Sequence, residues 1–329
     1  MSSVGVFVKP AQDFPELNLS EAKALSTMYA GEGGCVLNGE FVFKAPVNKA
    51  LRLISRVCGS REAGLYFEEL AREDLPRAIR LATNIIGPRR FKVAVQQWDR
   101  DLVSEIVSNM FGSVDFRSPE VILKITTEGG AYKLKIVLGT ARVELSRLQP
   151  KNWVYFHPGA LQPYFCGIMC NLAACPDGGV LLDPFCGVGS TIVAASHLGL
   201  NAVGCDISKK QVYGCRRNAF YLKLGGVLGV LRADAASLPL KRGVVDAAVF
   251  DPPYGKVSSL FGRSFEGLLA NVAEGLWQVL KPGGYACFFT PFETGLDVFV
   301  SRGFKLTYTY TIRVHRKLTR VLTVMKKVL

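Results

Sequence analysis

The sequence predicts an α/β protein in which a mixed α/β half precedes a doubly wound, mostly parallel sheet. Three observations support this fold class. After residue 177, short apolar strands alternate with helical stretches, which is the rhythm of a parallel sheet covered by helices. Before residue 148 the pattern mixes strands and helices without that strict alternation. Between the halves, the segment 148–158 carries two prolines and loses periodicity. A chain of 329 residues fits two domains at about 150 residues each.

The N-terminal half is predicted to contain short strands and amphipathic helices. We expect strands at 4–9, 35–45, 91–96, 121–126 and 131–139, and helices at 20–30, 47–58 and 102–110. Asn18 and Glu21 lie three residues apart, which predicts a capping box at the start of the first helix. The alternation around Lys133 and Lys135 predicts a strand with one solvated face.

The C-terminal half is predicted to begin with a helix at 160–174 and then to alternate. Strands are expected at 180–183, 202–206, 227–233, 245–251 and 285–290, with helices at 190–198, 209–224 and 265–280. Ligands of such sheets bind beyond the carboxyl ends of the strands, so the residues that follow each strand are the candidates for ligand contact.

The net charge of +13 is uneven, since it is +3 up to residue 150 and +10 after it. Such an excess favours a polyanion partner, either a nucleic acid or an anionic membrane. No stretch reaches ~18 apolar residues, and the first ten residues lack a signal-peptide pattern, so we expect no membrane span and a cytoplasmic location. The nine cysteines form no CxxC pair, and there are only three histidines, so no metal site is expected.

The first strand end reads VLLDPFCGVGST, residues 180–191. Asp183 ends the strand, and Gly187 and Gly189 permit a tight turn with close approach of the backbone to a ligand. The dinucleotide-binding pattern is incomplete, because Ile192 stands at its third glycine position. A plain tight turn remains the alternative.

Two further acidic residues follow the next strands. Asp206 comes 23 residues after Asp183, near the spacing of about 20 at which an acid binds ribose hydroxyls. Asp234 follows the third strand and is a candidate acceptor for an adenine amine. For both residues a helix N-cap or a turn is the alternative interpretation.

The fourth strand end carries the most specific motif, AAVFDPPYG, residues 247–255. Prolines restrict φ and remove donors, so this turn is stiff. It presents Asp251 and the Pro252 carbonyl as acceptors and Tyr254 as a flat surface, which suits a planar group bearing an amine. Asp251 is also a candidate to take up the proton released from that amine.

The order of DPFCG, two strand-end aspartates and DPPYG resembles that of S-adenosylmethionine-dependent amino-methyltransferases. With FHPGA at 156–160 and RVHRKLTR at 313–320, the chain resembles the archaeal tRNA guanosine-10 N2-methyltransferases and their eukaryotic relatives. The resemblance implies a ferredoxin-like domain at 1–60, a THUMP domain at 61–147, a linker at 148–160 and a Rossmann-like methyltransferase domain at 161–329. It is strong over about 155–325 and weak over 1–150.

The resemblance also implies roles for individual residues. Asp183, Gly187 and Gly189 surround the methionine part of the cofactor, Asp206 holds the ribose, and Asp234 with Ala235 holds the adenine. The guanine edge meets the predicted catalytic residues Asp251, Pro252, Pro253 and Tyr254. The rest of the predicted cofactor site comprises His157, Pro158, Gly159, Ala160, Pro184, Phe185, Cys186, Ser190, Thr191 and Ile207. Where many relatives have Pro-Lys after the HPGA segment, this chain has Pro163 and Tyr164.

Two basic regions are candidates for RNA contact. Residues 302–329 carry eight basic residues and no acidic one, with Phe304, Tyr308 and Tyr310 interleaved. A solvated edge strand protected by charge is the alternative. The predicted RNA-binding residues are Arg89, Arg90, Lys92, Arg313, His315, Arg316, Lys317 and Arg320. For His315 an ordinary structural histidine is an equal alternative.

The predicted function is therefore methyl transfer from S-adenosyl-L-methionine to the exocyclic N2 of a guanosine in tRNA, by a monomer without a metal. The target base must be flipped out of its stack. A THUMP-like domain is expected to bind the tRNA by shape. A DNA adenine N6-methyltransferase shares DPPY, and a non-catalytic RNA-binding protein is a further alternative. A protein glutamine methyltransferase is disfavoured, because those usually carry Asn at the Asp251 position.

Overall fold

The computed structural model describes residues 3–31, 33–97, 99–253, 264–291, 295–315 and 318–328. The chain divides into two compact units, Met1–Val143 and Glu144–Leu329. Each unit is built on its own seven-stranded sheet. The α/β fold class predicted from the sequence is confirmed. Among the described residues, no helix is long and apolar enough to cross a membrane.

The first unit contains one sheet with the strand order β2-β3-β1-β4-β7-β6-β5. Its elements are β1 (Ser3–Pro10), α1 (Pro15–Ala30), β2 (Cys35–Leu37), β3 (Glu40–Pro46), α2 (Val47–Arg56), β4 (Ser60–Leu70), α3 (Leu75–Ile86), β5 (Phe91–Val95), α4 (Arg100–Asn109), β6 (Val121–Glu128) and β7 (Ala131–Leu138); α5 (Ala141–Arg147) follows. All pairs are antiparallel except β5 with β6. The predicted division into residues 1–60 and 61–147 stays a prediction, and its boundary falls at the start of β4, a strand that pairs with β1 and β7.

The capping box predicted from Asn18 and Glu21 is wrong, because α1 begins at Pro15 and both residues lie inside it. Proline at a first helical position loses no hydrogen bond and is preset for the helix. Glu21 is fully buried and accepts hydrogen bonds from the backbone N–H groups of Cys58 and Gly59, at 2.9 and 2.6 Å. The acid therefore ties α1 to the turn before β4.

The second unit contains a sheet with the strand order β10-β9-β8-β11-β12-β14-β13. Its elements are α6 (Pro163–Leu172), β8 (Val180–Asp183), α7 (Ser190–His197), β9 (Asn201–Asp206), α8 (Lys209–Tyr221), β10 (Val227–Arg232), β11 (Val245–Phe250), α9 (Phe265–Val279), β12 (Leu280–Thr290), α10 (Asp297–Ser301), β13 (Phe304–His315) and β14 (Leu318–Lys327). The first five strands of that order are parallel, whereas β14 and β13 are antiparallel to their neighbours.

A stack of phenylalanines forms the core of the second sheet. The rings of Phe250 and Phe288 lie 4.9 Å apart between centroids, and Phe288 stacks in turn on Phe299 at 4.7 Å. All three side chains are fully buried, and each such ring contributes about 2 kcal/mol through burial of apolar surface. Phe250 is the last residue of β11, so this core supports the turn that follows it.

Candidate active site

The parallel strands of the second sheet bring three acidic residues to one edge. Asp183 ends β8, Asp206 ends β9, and Asp251 follows β11. β8 lies between β9 and β11, so strand order reverses direction at β8 and opens a crevice at the carboxyl ends. The structure therefore groups the strand-end acids that the sequence singles out.

The loop after β8 adopts left-handed conformations at both of its predicted glycines. Gly187 has φ of 49° and Gly189 has φ of 103°. At Gly189 a Cβ atom would lie 2.8 Å from the Sγ of Cys215, so a side chain is excluded by contact as well as by conformation. α7 begins immediately after this residue. The hydroxyl of Ser190, on its first turn, is buried and has no hydrogen-bond partner in the described part of the chain.

Asp206 organises this loop as well as facing the crevice. Its Oδ2 accepts a hydrogen bond from the N–H of Gly187 at 3.0 Å, and its Oδ1 accepts from the N–H of Ser208 at 2.8 Å. Burial raises the pKa of this carboxyl, and the two backbone hydrogen bonds oppose that shift. Each oxygen has a second lone pair, so the carboxylate retains capacity for ribose hydroxyls. The helix N-cap is Ser208, whose side chain accepts from Gln211, rather than Asp206.

Asp183 lies deepest of the three acids, with 3% of its surface exposed. Burial raises its pKa to about 7, and the charges of Asp206 and Asp251 add to that shift. Hydrogen bonds from the Phe185 N–H and from the Thr191 side chain oppose it. A nearby positive charge stabilises the ionised form of such a buried carboxyl, because it offsets the cost of removing the charge from water.

The remaining predicted cofactor residues lie around the same crevice. Phe185 packs on Phe250 with ring centroids 5.8 Å apart, and the Cys186 N–H donates to the Cys205 carbonyl at 2.8 Å. Asp234 follows β10 and accepts from the Ala236 N–H at 3.0 Å. The other predicted cofactor positions next to these acids are Pro184, Ile207 and Ala235.

The segment before α6 reaches the crevice through a turn. The Nδ1 of His157 accepts from the Gly159 N–H at 3.1 Å, and the His157 carbonyl accepts from the Ala160 N–H at 3.0 Å. His157 lies close enough to Asp206 to lower the pKa of that acid. Pro158 completes this turn. After it, Pro163 opens α6, and the Tyr164 ring meets Phe165 edge-on at 6.4 Å.

Sequence reasoning missed Asn218, a buried residue of α8 that joins two parts of the site. Its Nδ2 donates to the carbonyls of Tyr155 and Val188, both at 2.9 Å, and its Oδ1 accepts from the Tyr155 N–H at 3.0 Å. Val188 lies between the two loop glycines. Asn218 shares the buried face of α8 with Val212 and Cys215. The sequence signal that could have identified Asn218 is a polar residue on an otherwise apolar face of the predicted helix.

Asp251 forms an ion pair with Arg320 of β14, with Nη1 2.9 Å from Oδ2. Pro252 is buried and Pro253 is half-buried, as suits a stiff turn. Tyr254 lies outside the described residues. Arg320, which the sequence predicts to contact RNA, therefore lies against the predicted catalytic carboxylate, and its side chain is 18% exposed.

The other predicted RNA-binding residues are dispersed. Arg90 is exposed but paired, with Asp115 at 3.1 Å and Glu120 at 3.2 Å, whereas Arg89 is exposed and Lys92 is half-buried. Arg313 is exposed on β13. The side chain of His315 and all of Arg316 and Lys317 lie outside the described residues.

An acid-lined crevice next to a stiff turn that carries acceptors has a defined chemistry. It can bind a cationic small molecule beside the glycine loop, and Asp251 can accept the hydrogens of an amine. Groups of His, Cys, Asp and Glu able to hold a metal ion are absent among the described residues.

Comparison with known families agrees with this arrangement. The sequence profile of the family described as "RMKL-like, methyltransferase domain" matches residues 150–321, about half of the chain. That range contains every strand-end acid discussed above.

Relatives extend the likeness across the whole chain. The tRNA (guanine(10)-N2)-dimethyltransferase of Methanothermobacter thermautotrophicus is 28% identical over 332 residues, covering 97% of this chain and 98% of that protein. A protein of the same name from Pyrococcus abyssi is 30% identical, covering 68% of each chain. The mouse U6 snRNA (guanine-N(2))-methyltransferase THUMPD2 is 25% identical, covering 64% of this chain and 38% of that protein. Among solved structures, TrmN from Thermus thermophilus aligns over 99% of this chain and 100% of that chain at 20% identity, with a TM-score of 0.48.

Proposed function

The chain belongs to the archaeal tRNA guanosine-10 N2-methyltransferase family and carries an RMKL-like methyltransferase domain, and from this premise we propose its reaction. It transfers methyl from S-adenosyl-L-methionine to the exocyclic N2 of guanosine 10 in tRNA. One observation carries the proposal: Asp251 follows β11, and β11 pairs directly with β8, the strand that leads into the glycine loop. The acceptor for the target amine and the cofactor loop thus lie on adjacent strands.

The residues of the crevice fit S-adenosyl-L-methionine. This cofactor carries positive charges on its sulfonium and its amine, and the crevice gathers Asp183 and Asp206. The bare backbone at Gly187 and Gly189 admits close approach, and the buried Ser190 hydroxyl is available at the start of α7. We propose that Asp206 holds the ribose and that Asp234 holds the adenine.

The reaction needs the N2 lone pair to point at the methyl group. The sulfonium supplies a methyl whose S–C bond breaks as the N2–C bond forms, so that S-adenosylhomocysteine leaves and N2 loses one proton. The chain's part is positioning: the Asp251 carboxylate and the Pro252 carbonyl accept the amine hydrogens and hold them out of the ring plane. That geometry weakens conjugation with the ring and exposes the lone pair.

The partner is proposed to be tRNA. The protein is proposed to act as a monomer in the cytoplasm and to need no metal ion. Residues 1–147 are proposed to recognise the folded RNA, in line with the predicted ferredoxin-like and THUMP modules. The exposed Arg89 supports a role in phosphate contact. Relatives whose names refer to tRNA and to U6 snRNA make structured RNA the common substrate class.

Labelled methyl transfer onto separate pools of tRNA, DNA and protein, followed by nucleoside analysis, tests this function. We expect N2-methylguanosine and N2,N2-dimethylguanosine in tRNA, and their loss from transcripts that carry adenosine at position 10. Label recovered as N6-methyladenine in DNA, or as methylglutamine in protein, would overturn the assignment. The Asp251→Ala variant provides the blank for contaminating activity.

A further inference from the structure

Arg320 lies next to Asp251 in the folded chain, although 69 residues separate them in sequence. β11 and β14 are not neighbours, since β12 lies between them. Phe250 is opposite Phe288 on β12, and Thr290 is opposite Val321 on β14. Arg320 therefore stands just beyond the end of β12. From there its side chain reaches over the end of β12 to meet that of Asp251.

The guanidinium is held on two sides. One side is the Asp251 carboxylate at 2.9 Å, and the other is the ring of Phe289, whose centroid lies 5.4 Å from Cζ. Phe289 is itself stacked on Phe165 of α6, with centroids 5.6 Å apart. The two ion-pair side chains are 18% and 19% exposed, so solvent screens this pair less than a surface pair. A cation held in this way fixes the orientation of the acid it faces.

The electrostatic surroundings of Asp251 explain what this cation does. Asp183 on β8 senses the charge of Asp251, and that repulsion helps to raise the pKa of Asp183. Cys166 on α6 also senses Asp251, and burial raises the pKa of its thiol, which keeps it neutral. Arg320, whose Nη1 lies 2.9 Å from the Asp251 carboxylate, is thus a cation that opposes this clustering of acids.

The protonation state of Asp251 decides its chemistry. An ionised carboxylate offers only acceptors, whereas a protonated one also presents an O–H donor. The target amine presents N–H donors, and an ionised carboxylate accepts from them without presenting a competing O–H donor. Repulsion from neighbouring acids favours the protonated form, and an adjacent guanidinium favours the ionised form.

We propose that Arg320 is a positioning residue that keeps Asp251 ionised and oriented toward the amine of the target guanosine. This inference rests on the proposed function for the identity of the amine, but not for the ion pair. It gives Arg320 a role different from the phosphate contact predicted from the sequence. An ion-paired carboxylate is a good acceptor and a weak base, so the proton released from N2 passes to solvent rather than staying on Asp251.

The decisive experiment compares Arg320→Gln, Arg320→Lys and Lys281→Gln with the wild-type protein. Lys281→Gln also removes one positive charge and one ion pair, with Asp246, but at the opposite end of β12. For Arg320→Gln we expect kcat to fall roughly 10- to 100-fold at neutral pH, and the acidic limb of the pH–kcat profile to move up by about one pH unit or more. Activity should recover in part at high pH. Arg320→Lys should keep the limb nearer the wild-type position, and Lys281→Gln should leave profile and kcat unchanged.

Two outcomes would overturn the proposal. A loss of kcat that is equal at every pH would make Arg320 merely structural. An increase in KM for tRNA with kcat and the profile unchanged would make it a phosphate contact. Melting temperatures of all variants identify any that fail to fold.

A second measurement does not depend on the substrate. In protein labelled with 13C at aspartate carboxyls, the Asp251 signal is assigned by its absence in Asp251→Asn. Its titration midpoint should move to higher pH in Arg320→Gln, and an unchanged midpoint would contradict the proposal. If wild-type protein instead failed to methylate tRNA while this midpoint moved, only the proposed function would be lost.

Discussion

The two seven-stranded sheets distribute their charges in opposite ways. In the N-terminal sheet, three strand-borne lysines each meet an acid on another strand: Lys124 meets Glu62 at 2.9 Å, Lys133 meets Glu128 at 2.6 Å, and Lys135 meets Glu40 at 2.7 Å. In the C-terminal sheet, Asp183, Asp206 and Asp251 converge at one edge, where Arg320 is paired with Asp251. Antiparallel strands send their carboxyl ends to both edges of a sheet, whereas parallel strands gather them at one. The contrast teaches that strand direction alone can decide where unbalanced charge, and with it chemistry, accumulates.

Replacing Asp251 should have the largest effect on this contrast. Asp251→Asn keeps the shape of the side chain but turns an amide N–H₂ toward an amine that needs acceptors. We expect kcat to fall by about 10²- to 10³-fold, the range seen when one positioned polar group is lost from an active site. Calorimetric binding of S-adenosyl-L-methionine should be nearly unchanged. Wild-type rates in this variant would remove the acid edge from the reaction.

Gly189→Ala should disturb the loop after β8 and leave the three acidic side chains in place. The left-handed φ costs an ordinary residue roughly 1–2 kcal/mol, and the Cβ contact with Cys215 adds to it. We expect a lower melting temperature and at least about tenfold weaker cofactor binding. Gly243→Ala is the matched control, since Gly243 has φ of 62° but open space around it. Gly243→Ala should lower the melting temperature without weakening cofactor binding, and an unchanged cofactor affinity in Gly189→Ala would contradict the role of this loop.

The burial of Asp183 predicts a pH effect on cofactor binding. Its pKa is raised to about 7 in the unliganded protein, and a cationic ligand binds the ionised form. Affinity for S-adenosyl-L-methionine should therefore fall as pH drops below about 7, by roughly tenfold per unit, measured by calorimetry from pH 5.5 to 8.5. Asp183→Asn should bind more weakly, with a flatter profile. A wild-type affinity independent of pH would argue that Asp183 stays ionised throughout.

The same shift affects folding with a definite sign. A carboxyl whose pKa is higher in the folded than in the unfolded state stabilises the fold most at pH values below its unfolded pKa of 3.8. That contribution is lost as pH rises through about 7. The cofactor should reverse this trend, so its stabilising effect on melting temperature should be greater at pH 8 than at pH 6.

The smallest expected effect separates two adjacent arginines of the N-terminal unit. Arg90 is paired with Asp115 and Glu120, so Arg90→Ala should cause a small fall in melting temperature with little change in tRNA affinity. Arg89→Ala should instead weaken tRNA binding a few-fold and reduce the slope of log K against log salt by about one. Filter binding at several salt concentrations distinguishes the two. An unchanged tRNA affinity and salt slope in Arg89→Ala would mean that this surface does not contact RNA as proposed.

The strand-end acids could be found from the sequence because a parallel strand and the residue after it are contiguous. Asp183, Asp206 and Asp251 each end or follow a short apolar run, and sheet topology then brings the three together. The glycine loop was equally local. These features depend on neighbours in sequence, which is why the C-terminal half was the more predictable.

The contacts that were missed join distant parts of the chain. Asn218 looked like an ordinary polar helix residue until Tyr155 and Val188 packed against it. In the sequence, Arg320 is not distinguished from the other cations of the basic segment. Its pairing with Asp251 depends on the strand order β11-β12-β14, which the sequence does not predict. Glu21 was read as a cap because the sequence did not reveal that Pro15 starts the helix.

The position of β4 in the middle of the N-terminal sheet limits which part of that unit can be exchanged with another protein. Because β4 pairs with β1 on one side and β7 on the other, exchanging residues 1–60 for those of another protein would replace one partner of that strand and leave an edge to be matched. At Gly64 a Cβ would lie 1.9 Å from the Ile136 carbonyl oxygen. The packing between β4 and its neighbouring strands therefore does not tolerate even one added side chain at this position. The smallest piece that can be transplanted intact is therefore the whole sheet together with α5, residues 3–147, and chimeras joined after residue 147 should fold where chimeras joined at residue 60 aggregate.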